Sequence, residues 1–122
     1  MLRAGIIGCG GITERRHAPV LTSFVGHVEL AALADVSEAR LALIGDKYSV
    51  SPAHRYTDYE AMLKNESLDL VHVCTPHHLH KPQAIAALQA GSHVLMEKPI
   101  ATTVEEADHI IEAADHAGKK LT

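Results

Sequence analysis

Three short stretches of this 122-residue chain combine residue types that could do chemistry, and each follows an apolar run. They are 8–13, which is rich in glycine, 75–80, which is rich in histidine, and Glu97-Lys98-Pro99. A single acid, Asp35, follows a fourth apolar run. Glycines at a strand end let backbone approach a phosphate, a carboxylate accepts hydrogen bonds from ribose hydroxyls, and a lysine stabilises developing negative charge. These types together favour a nucleotide site.

The first stretch has the spacing Gly8-x-Gly10-x-x-Thr13. Gly8 permits a tight turn, Gly10 lets a pyrophosphate approach the backbone, and the third position sets how closely helix and strand pack. Gly11 and Ile12 at the start of the helix complete the predicted phosphate site. Thr13 stands where glycine or alanine is usual, and its hydroxyl could cap the helix or widen the spacing. Alone, the pattern fits an ordinary turn as well as dinucleotide binding.

Asp35 follows Thr13 by 22 positions, near the offset of ~20 at which a dinucleotide-binding unit places its ribose-binding acid. A carboxylate there accepts hydrogen bonds from the adenosine ribose and repels a 2′-phosphate, which favours NAD over NADP. The alternative is a turn residue before a helix capped by Ser37. Arg40 is the one nearby cation that could soften the preference for NAD, although a solvated position in the helix is the simpler reading.

The second stretch holds Thr75, Pro76 and three histidines in four positions. A metal site is disfavoured because no cysteine or acid stands nearby at ligand spacing. His77 and His78 are predicted to be surface residues of a helix-entry turn, whereas His80 is predicted to approach the cofactor.

In the third stretch, Lys98 could hydrogen-bond a substrate hydroxyl and stabilise the developing alkoxide beside a nicotinamide. A solvated loop lysine is the alternative, and its position alone does not decide between them. Cys9 and Cys74 are predicted to be small buried residues, because neither has a partnered histidine. His17 is predicted to lie at the surface or near the phosphates.

Strand and helix patterns alternate along the chain and place these residues at strand ends. The predicted strands are residues 3–9, 28–34, 53–56, 68–74 and 93–96, with 119–122 beginning a sixth. The predicted helices are residues 11–24, kinked or divided at Pro19, a helix capped by Ser37 that runs to 48, one capped by Asp58 that runs to 64, 81–90, and one capped by Thr103 that runs to 118. This alternation predicts an α/β fold with a doubly wound parallel sheet, a Rossmann fold, as a single domain over residues 1–122.

Composition narrows the class of protein. The formal net charge is −4, from 11 basic and 15 acidic residues without runs of either sign, which argues against binding to nucleic acid or a membrane surface. No apolar run approaches the ~18 residues that span a bilayer. Two cysteines do not form a disulfide framework, so we expect a reduced, cytoplasmic protein.

The chain resembles the N-terminal domain of the Gfo/Idh/MocA oxidoreductases, the glucose–fructose oxidoreductase and inositol dehydrogenase family. The matching segments are 5–12, Asp35, 73–76 with His80, and above all 91–99, which reads Gly-Ser-His-Val-Leu-Met-Glu-Lys-Pro. The resemblance implies reversible hydride transfer between NAD(P) and the hydroxyl-bearing carbon of a sugar, inositol or related polyol.

The resemblance also implies residue roles. Lys98 would contact the substrate and the nicotinamide ribose, Glu97 would contact or support that ribose, and Pro99 would follow a cis peptide. Thr75, Pro76 and His80 would line the cofactor channel.

Family members continue into a second domain that supplies the substrate pocket and often a dimer surface. We therefore expect this chain to be the cofactor-binding part of a longer dehydrogenase, inactive alone; a short protein that senses NAD(H) without turnover is the alternative. An uncovered last strand would favour self-association into a homo-oligomer.

Overall fold

The computed structural model describes all 122 residues, and strands alternate with helices along the chain. The strands are β1 (Leu2–Ile7), β2 (Val28–Ala34), β3 (Arg55–Tyr56), β4 (Leu70–Val73) and β5 (His93–Met96). The helices are α1 (Ala18–Ser23), α2 (Glu38–Lys47), α3 (Tyr59–Asn65), α4 (His80–Gln89) and α5 (Val104–Ala117), with a π-helical segment (Thr13–His17) and 3₁₀ turns at Pro52–His54 and His77–Leu79. No helix combines the length and apolar character needed to cross a membrane.

The strands form one parallel sheet in the order β3-β2-β1-β4-β5. Leu121 bridges Val94 of β5 in parallel, so the predicted start of a sixth strand is confirmed. The order reverses between β1 and β4, which is where sheets of this kind bind ligands, outside the carboxyl ends of the strands. The predicted doubly wound Rossmann architecture is confirmed.

Aliphatic cores cover both faces of the sheet. Ile7 belongs to a cluster of 14 buried residues and its neighbour Ile6 to a separate cluster of 11. Successive side chains of a strand point to opposite faces, so one apolar strand can serve both cores. Burial on both faces fixes β1 in place, and its carboxyl end can therefore hold a turn in a defined position.

The predicted helix caps are confirmed. The side chains of Ser37, Asp58 and Thr103 each accept a hydrogen bond, at 3.0–3.3 Å, from a backbone N–H two or three residues later. Gly118 follows α5 with φ +64°, a left-handed conformation that ends the helix.

The bounds of three strands differ from prediction, and β4 covers Leu70–Val73 rather than 68–74. β3 is confined to Arg55–Tyr56, because Pro52 starts a 3₁₀ turn that runs through His54. β1 ends at Ile7 rather than at Cys9, because Gly8 has φ +99° and leaves the extended conformation. β1 therefore ends two residues earlier than predicted, and the glycine turn begins directly after Ile7.

The first helix runs without a break over residues 11–23, but its hydrogen bonding changes just before Pro19, where a kink or a division was predicted. The segment Thr13–His17 is π-helical, and the N–H of Ala18 donates to the carbonyl of Thr13, five residues earlier. α1 then begins with Pro19 in its first turn, where a missing N–H costs little. His17, the last residue of the π-helical segment, is buried and only 9% exposed.

Candidate functional site

The carboxyl ends of β1, β2 and β4 enclose a cleft of about 300 Å³. Its walls include Gly8, Gly10, Asp35, Val36, Thr75 and Pro76. Five of these six residues are predicted cofactor contacts, and Val36 is added by the structure. The sheet thus brings together residues that are far apart in sequence.

Two glycines of the turn have different roles. A Cβ added at Gly8, where φ is +99°, would lie 2.7 Å from the carbonyl oxygen of Cys74, closer than van der Waals contact allows. A Cβ added at Gly10 would meet no atom within 4 Å. Gly8 is therefore required by the fold itself, whereas the open space at Gly10 is available to a ligand.

Replacing Gly8 with alanine is expected to lower the free energy of unfolding by about 2 kcal/mol or more, since it combines backbone strain with a collision. Urea denaturation measures the loss. Gly91→Ala is the matched control, because φ is +93° there and an added Cβ meets no atom within 4 Å. A loss at Gly8 no larger than the loss at Gly91 would show that the contact with Cys74 has no energetic consequence.

Thr13 is fully buried, and its hydroxyl donates to the carbonyl of Gly8 at 2.5 Å. Thr13 therefore does not cap the helix, and its hydroxyl instead bonds the glycine turn from inside. Ile12 packs against the core cluster that contains Cys9. The predicted contacts of Gly11 and Ile12 with phosphate can therefore come only from the backbone N–H groups of these two residues.

Asp35 joins the end of β2 to the glycine turn. Its Oδ2 accepts a hydrogen bond from the N–H of Cys9 at 2.7 Å, and its Oδ1 accepts one from the N–H of Ser37 at 2.8 Å. The turn-forming alternative is thus realised, and the same carboxylate lines the cleft. Each carboxylate oxygen has a second lone pair for a ligand hydroxyl.

Arg40 is not the solvated residue that its helical position suggests. Its Nε donates to the carbonyl of Cys9 at 2.7 Å, and its Nη2 donates to Glu14 Oε2 at 3.0 Å. The hydrogen bond from Arg40 lowers the pKa of the Glu14 carboxyl. The guanidinium is therefore held against the outside of the glycine turn by two partners.

His80 lies behind the wall of the cleft. Its ring is fully buried, with Nδ1 at 2.7 Å from the carbonyl oxygen of Pro99 and Nε2 at 2.9 Å from that of Thr75. It joins the loop after β4 to the loop after β5, and its ring does not face the open cleft. His77 and His78 are exposed in the 3₁₀ turn, as predicted.

The Glu97-Lys98-Pro99 segment follows β5, beyond the residues that line the cleft. The N–H of Glu97 donates to the carbonyl of Val73 at 2.9 Å, which places the segment beside the end of β4. The Lys98–Pro99 peptide bond is cis, as the resemblance implies. Lys98 is exposed and its ammonium makes no ion pair in the structure.

Two histidines at this end of the sheet were missed by the sequence reasoning. His17 Nε2 lies 2.7 Å from Glu97 Oε1, and His17 Nδ1 lies 2.9 Å from His72 Nδ1. The surface position predicted for His17 is wrong, because His17 lies on the same buried helix face as Thr13, four residues earlier. The sequence of β4 contained a signal for this pair. His72 lies in a strand whose other residues are apolar, and a histidine buried in such a strand needs a polar partner.

Burial and hydrogen bonding shift the acidity of several groups here. The hydrogen bond from His17 lowers the pKa of Glu97, and burial lowers the pKa of His72 to about 4. Burial also raises the pKa of the Cys9 and Cys74 thiols to about 12. Both cysteines are buried, which confirms the prediction that they are small buried residues, and their thiols are protonated.

Comparison with known proteins agrees with this geometry. A family model described as "Oxidoreductase family, NAD-binding Rossmann fold" matches residues 2–122. Inositol 2-dehydrogenase of Salmonella paratyphi B is 33% identical over 120 residues, which cover 98% of this chain and 35% of that protein. The chain thus spans about a third of the length of this curated relative.

Two solved structures share the fold. WlbA dehydrogenase from Bordetella pertussis, in complex with NADH and UDP-GlcNAcA, superposes with a TM-score of 0.91 at 31% identity, covering 98% of this chain and 36% of that one. Biliverdin reductase from Synechocystis, in complex with biliverdin and NADP⁺, has a TM-score of 0.87 at 33% identity, covering 98% and 36%. Both nicotinamide cofactors therefore occur among similar structures.

Proposed function

This chain belongs to the oxidoreductase family with the NAD-binding Rossmann fold, and we propose that it is the cofactor-binding domain of an NAD-dependent dehydrogenase. The dehydrogenase would transfer hydride between NAD and the hydroxyl-bearing carbon of a sugar, inositol or related polyol. The observation that carries the proposal is the cleft in which Gly10, open on its ligand side, faces the ribose-binding candidate Asp35.

The residues present fit a dinucleotide. The open position at Gly10 gives a pyrophosphate access to the backbone, and the N–H groups of Gly11 and Ile12 begin a helix that favours anions. Asp35 would bind the adenosine ribose, while Thr75 and Pro76 line the opposite wall. His80 supports that wall from behind.

Glu97, Lys98 and Pro99 would serve the nicotinamide end. The nicotinamide accepts or returns the hydride when it is bound. The unpaired ammonium of Lys98 would donate a hydrogen bond to the substrate oxygen and stabilise negative charge that develops on it. A second domain of the length found in the relatives would supply the substrate pocket, so we propose that this chain alone binds cofactor without turnover.

We expect NADH to bind at least about tenfold more tightly than NADPH. The carboxylate of Asp35 repels a 2′-phosphate, and Arg40 is already held by Glu14 and the carbonyl of Cys9. NADH and NADPH fluorescence titrations of the chain measure both affinities.

Glu14→Gln is a matched variant that removes the charge with which Glu14 binds Arg40. It is expected to improve NADPH binding and so to reduce the ratio of NADH affinity to NADPH affinity. Failure of both cofactors to bind would overturn the proposed function. Equal affinities would overturn only the preference for NAD.

A further inference from the structure

Three buried or half-buried polar side chains connect β4 to the loop after β5. His72 of β4 is 5% exposed, His17 of the π-helical segment is 9% exposed, and the Glu97 side chain is 24% exposed. Their atoms meet end to end, with 2.9 Å between the two Nδ1 atoms and 2.7 Å between His17 Nε2 and Glu97 Oε1. We call this series the His72-His17-Glu97 chain.

Hydrogen-bond chemistry fixes the proton at one end of this chain. Glu97 is ionised near neutral pH, because the hydrogen bond from His17 lowers its pKa, and a carboxylate only accepts. The proton in that contact therefore lies on His17 Nε2. The two Nδ1 atoms share a single proton, so one imidazole donates and the other accepts.

Glu97 passes this constraint on to the next residue. While Oε1 faces His17, Oε2 accepts a hydrogen bond from the backbone N–H of Lys98 at 3.1 Å. The carboxylate thus holds an interior histidine with one oxygen and the backbone of the exposed loop with the other. A hydrogen bond to a charged group of this kind contributes more than a neutral one.

The π-helical segment itself joins the two halves of the site. At its first residue, Thr13 donates to the carbonyl of Gly8 in the glycine turn, and at its last residue, His17 contacts Glu97. Short π-helical segments are rare and occur frequently at functional sites. Here the segment connects the turn proposed for the pyrophosphate to the loop proposed for the nicotinamide.

We propose that His17 is a positioning residue that holds Glu97, and through it the backbone of Lys98, in the conformation that receives the nicotinamide half of NAD. The proposal rests on the proposed function. Neither Asp35 nor Gly10 forms a hydrogen bond with His17 or Glu97, so the two halves of the proposed cofactor site can be tested separately. Loss of the His17 contact should therefore affect only ligands that carry the nicotinamide end.

The test compares NADH with ADP-ribose, which lacks the nicotinamide, by calorimetric titration of the whole chain. His17→Asn keeps a polar atom near the position of Nδ1 but does not reach Glu97, so NADH should bind at least about tenfold more weakly. Its affinity for ADP-ribose should stay the same. His17→Gln, whose amide nitrogen lies near the position of Nε2, should restore NADH binding.

The positioning role of His17 predicts that NADH binding weakens and ADP-ribose binding does not. Unchanged NADH affinity in His17→Asn, or equal weakening of NADH and ADP-ribose, would overturn the positioning role. If that variant does not fold, Glu97→Gln replaces the partly exposed partner and should cause the same selective loss, whereas unchanged affinity would overturn the role. Failure of the wild-type chain to bind either ligand would instead overturn the proposed function.

Discussion

Replacing Gly10 with aspartate is expected to weaken NADH binding by at least about a hundredfold while the melting temperature stays the same. A Cβ added at Gly10 meets no protein atom within 4 Å, so we expect the fold to tolerate the substitution. Bound pyrophosphate would meet both the side chain and a like charge, whose repulsion at 4 Å is ~1–4 kcal/mol. Calorimetric titration with NADH and scanning calorimetry measure the two quantities on the same protein.

Gly10→Ala and Gly10→Asn are the matched controls for this substitution. Alanine adds the Cβ alone, and asparagine adds nearly the volume of aspartate without its charge, so the series separates bulk from repulsion. We expect affinity to fall from alanine to asparagine to aspartate. Unchanged NADH affinity in Gly10→Asp would remove the glycine turn from the binding site, and a large loss of stability would mean that Gly10, like Gly8, serves the fold.

The sheet could be predicted from sequence because its strands are buried on both faces. Residues 28–34 and 93–96 are apolar runs bounded by polar or turn residues, and both strands are observed with the predicted bounds. β3 was overestimated because its two residues pair only with β2, and the preceding Pro52 favours a turn over extension. Short edge strands depend on neighbours in space, which local sequence does not reveal.

The cleft could be predicted for the same reason. Parallel strands bring their carboxyl ends to one edge, so Gly8, Gly10, Asp35 and Thr75 were expected to meet and do meet. What could not be predicted is which polar group each side chain selects. Thr13 bonds to Gly8 inside the turn, and Arg40 bonds to Glu14 and the Cys9 carbonyl.

The buried position of His17 was not predicted from the sequence. Thr13 and His17 lie four positions apart on one helix face, and both are buried although the two arginines between them are exposed. Which face of this helix packs against the sheet depends on the fit between the helix, the glycine turn and β4. The sequence does contain one half of the pair, because His72 interrupts an apolar strand and requires a polar partner.

The second large effect concerns His72: the free energy of unfolding is expected to fall by about 2 kcal/mol between pH 8 and pH 5 on account of this residue alone. Burial lowers its pKa from 6.5 to about 4, so the folded chain keeps the ring neutral while the unfolded chain takes up a proton. The unfolded state therefore binds more protons between pH 6.5 and pH 4, and stability decreases as pH falls through that window. Below about pH 4 the contribution levels off.

Urea denaturation of the wild-type chain and of His72→Asn at several pH values isolates this contribution. Asparagine does not titrate, and its amide lies near the position of Nδ1, so the contact with His17 can persist. The variant should lose about 2 kcal/mol less than the wild type on going from pH 8 to pH 5. His78→Asn, at an exposed position, controls for the loss of any histidine.

The carboxyls whose pKa is lowered, such as Glu66 and Glu97, destabilise the fold only as pH falls further, through the range where unfolded carboxyls titrate. Parallel pH profiles for the wild type and His72→Asn would show that His72 takes up its proton equally in the folded and unfolded states.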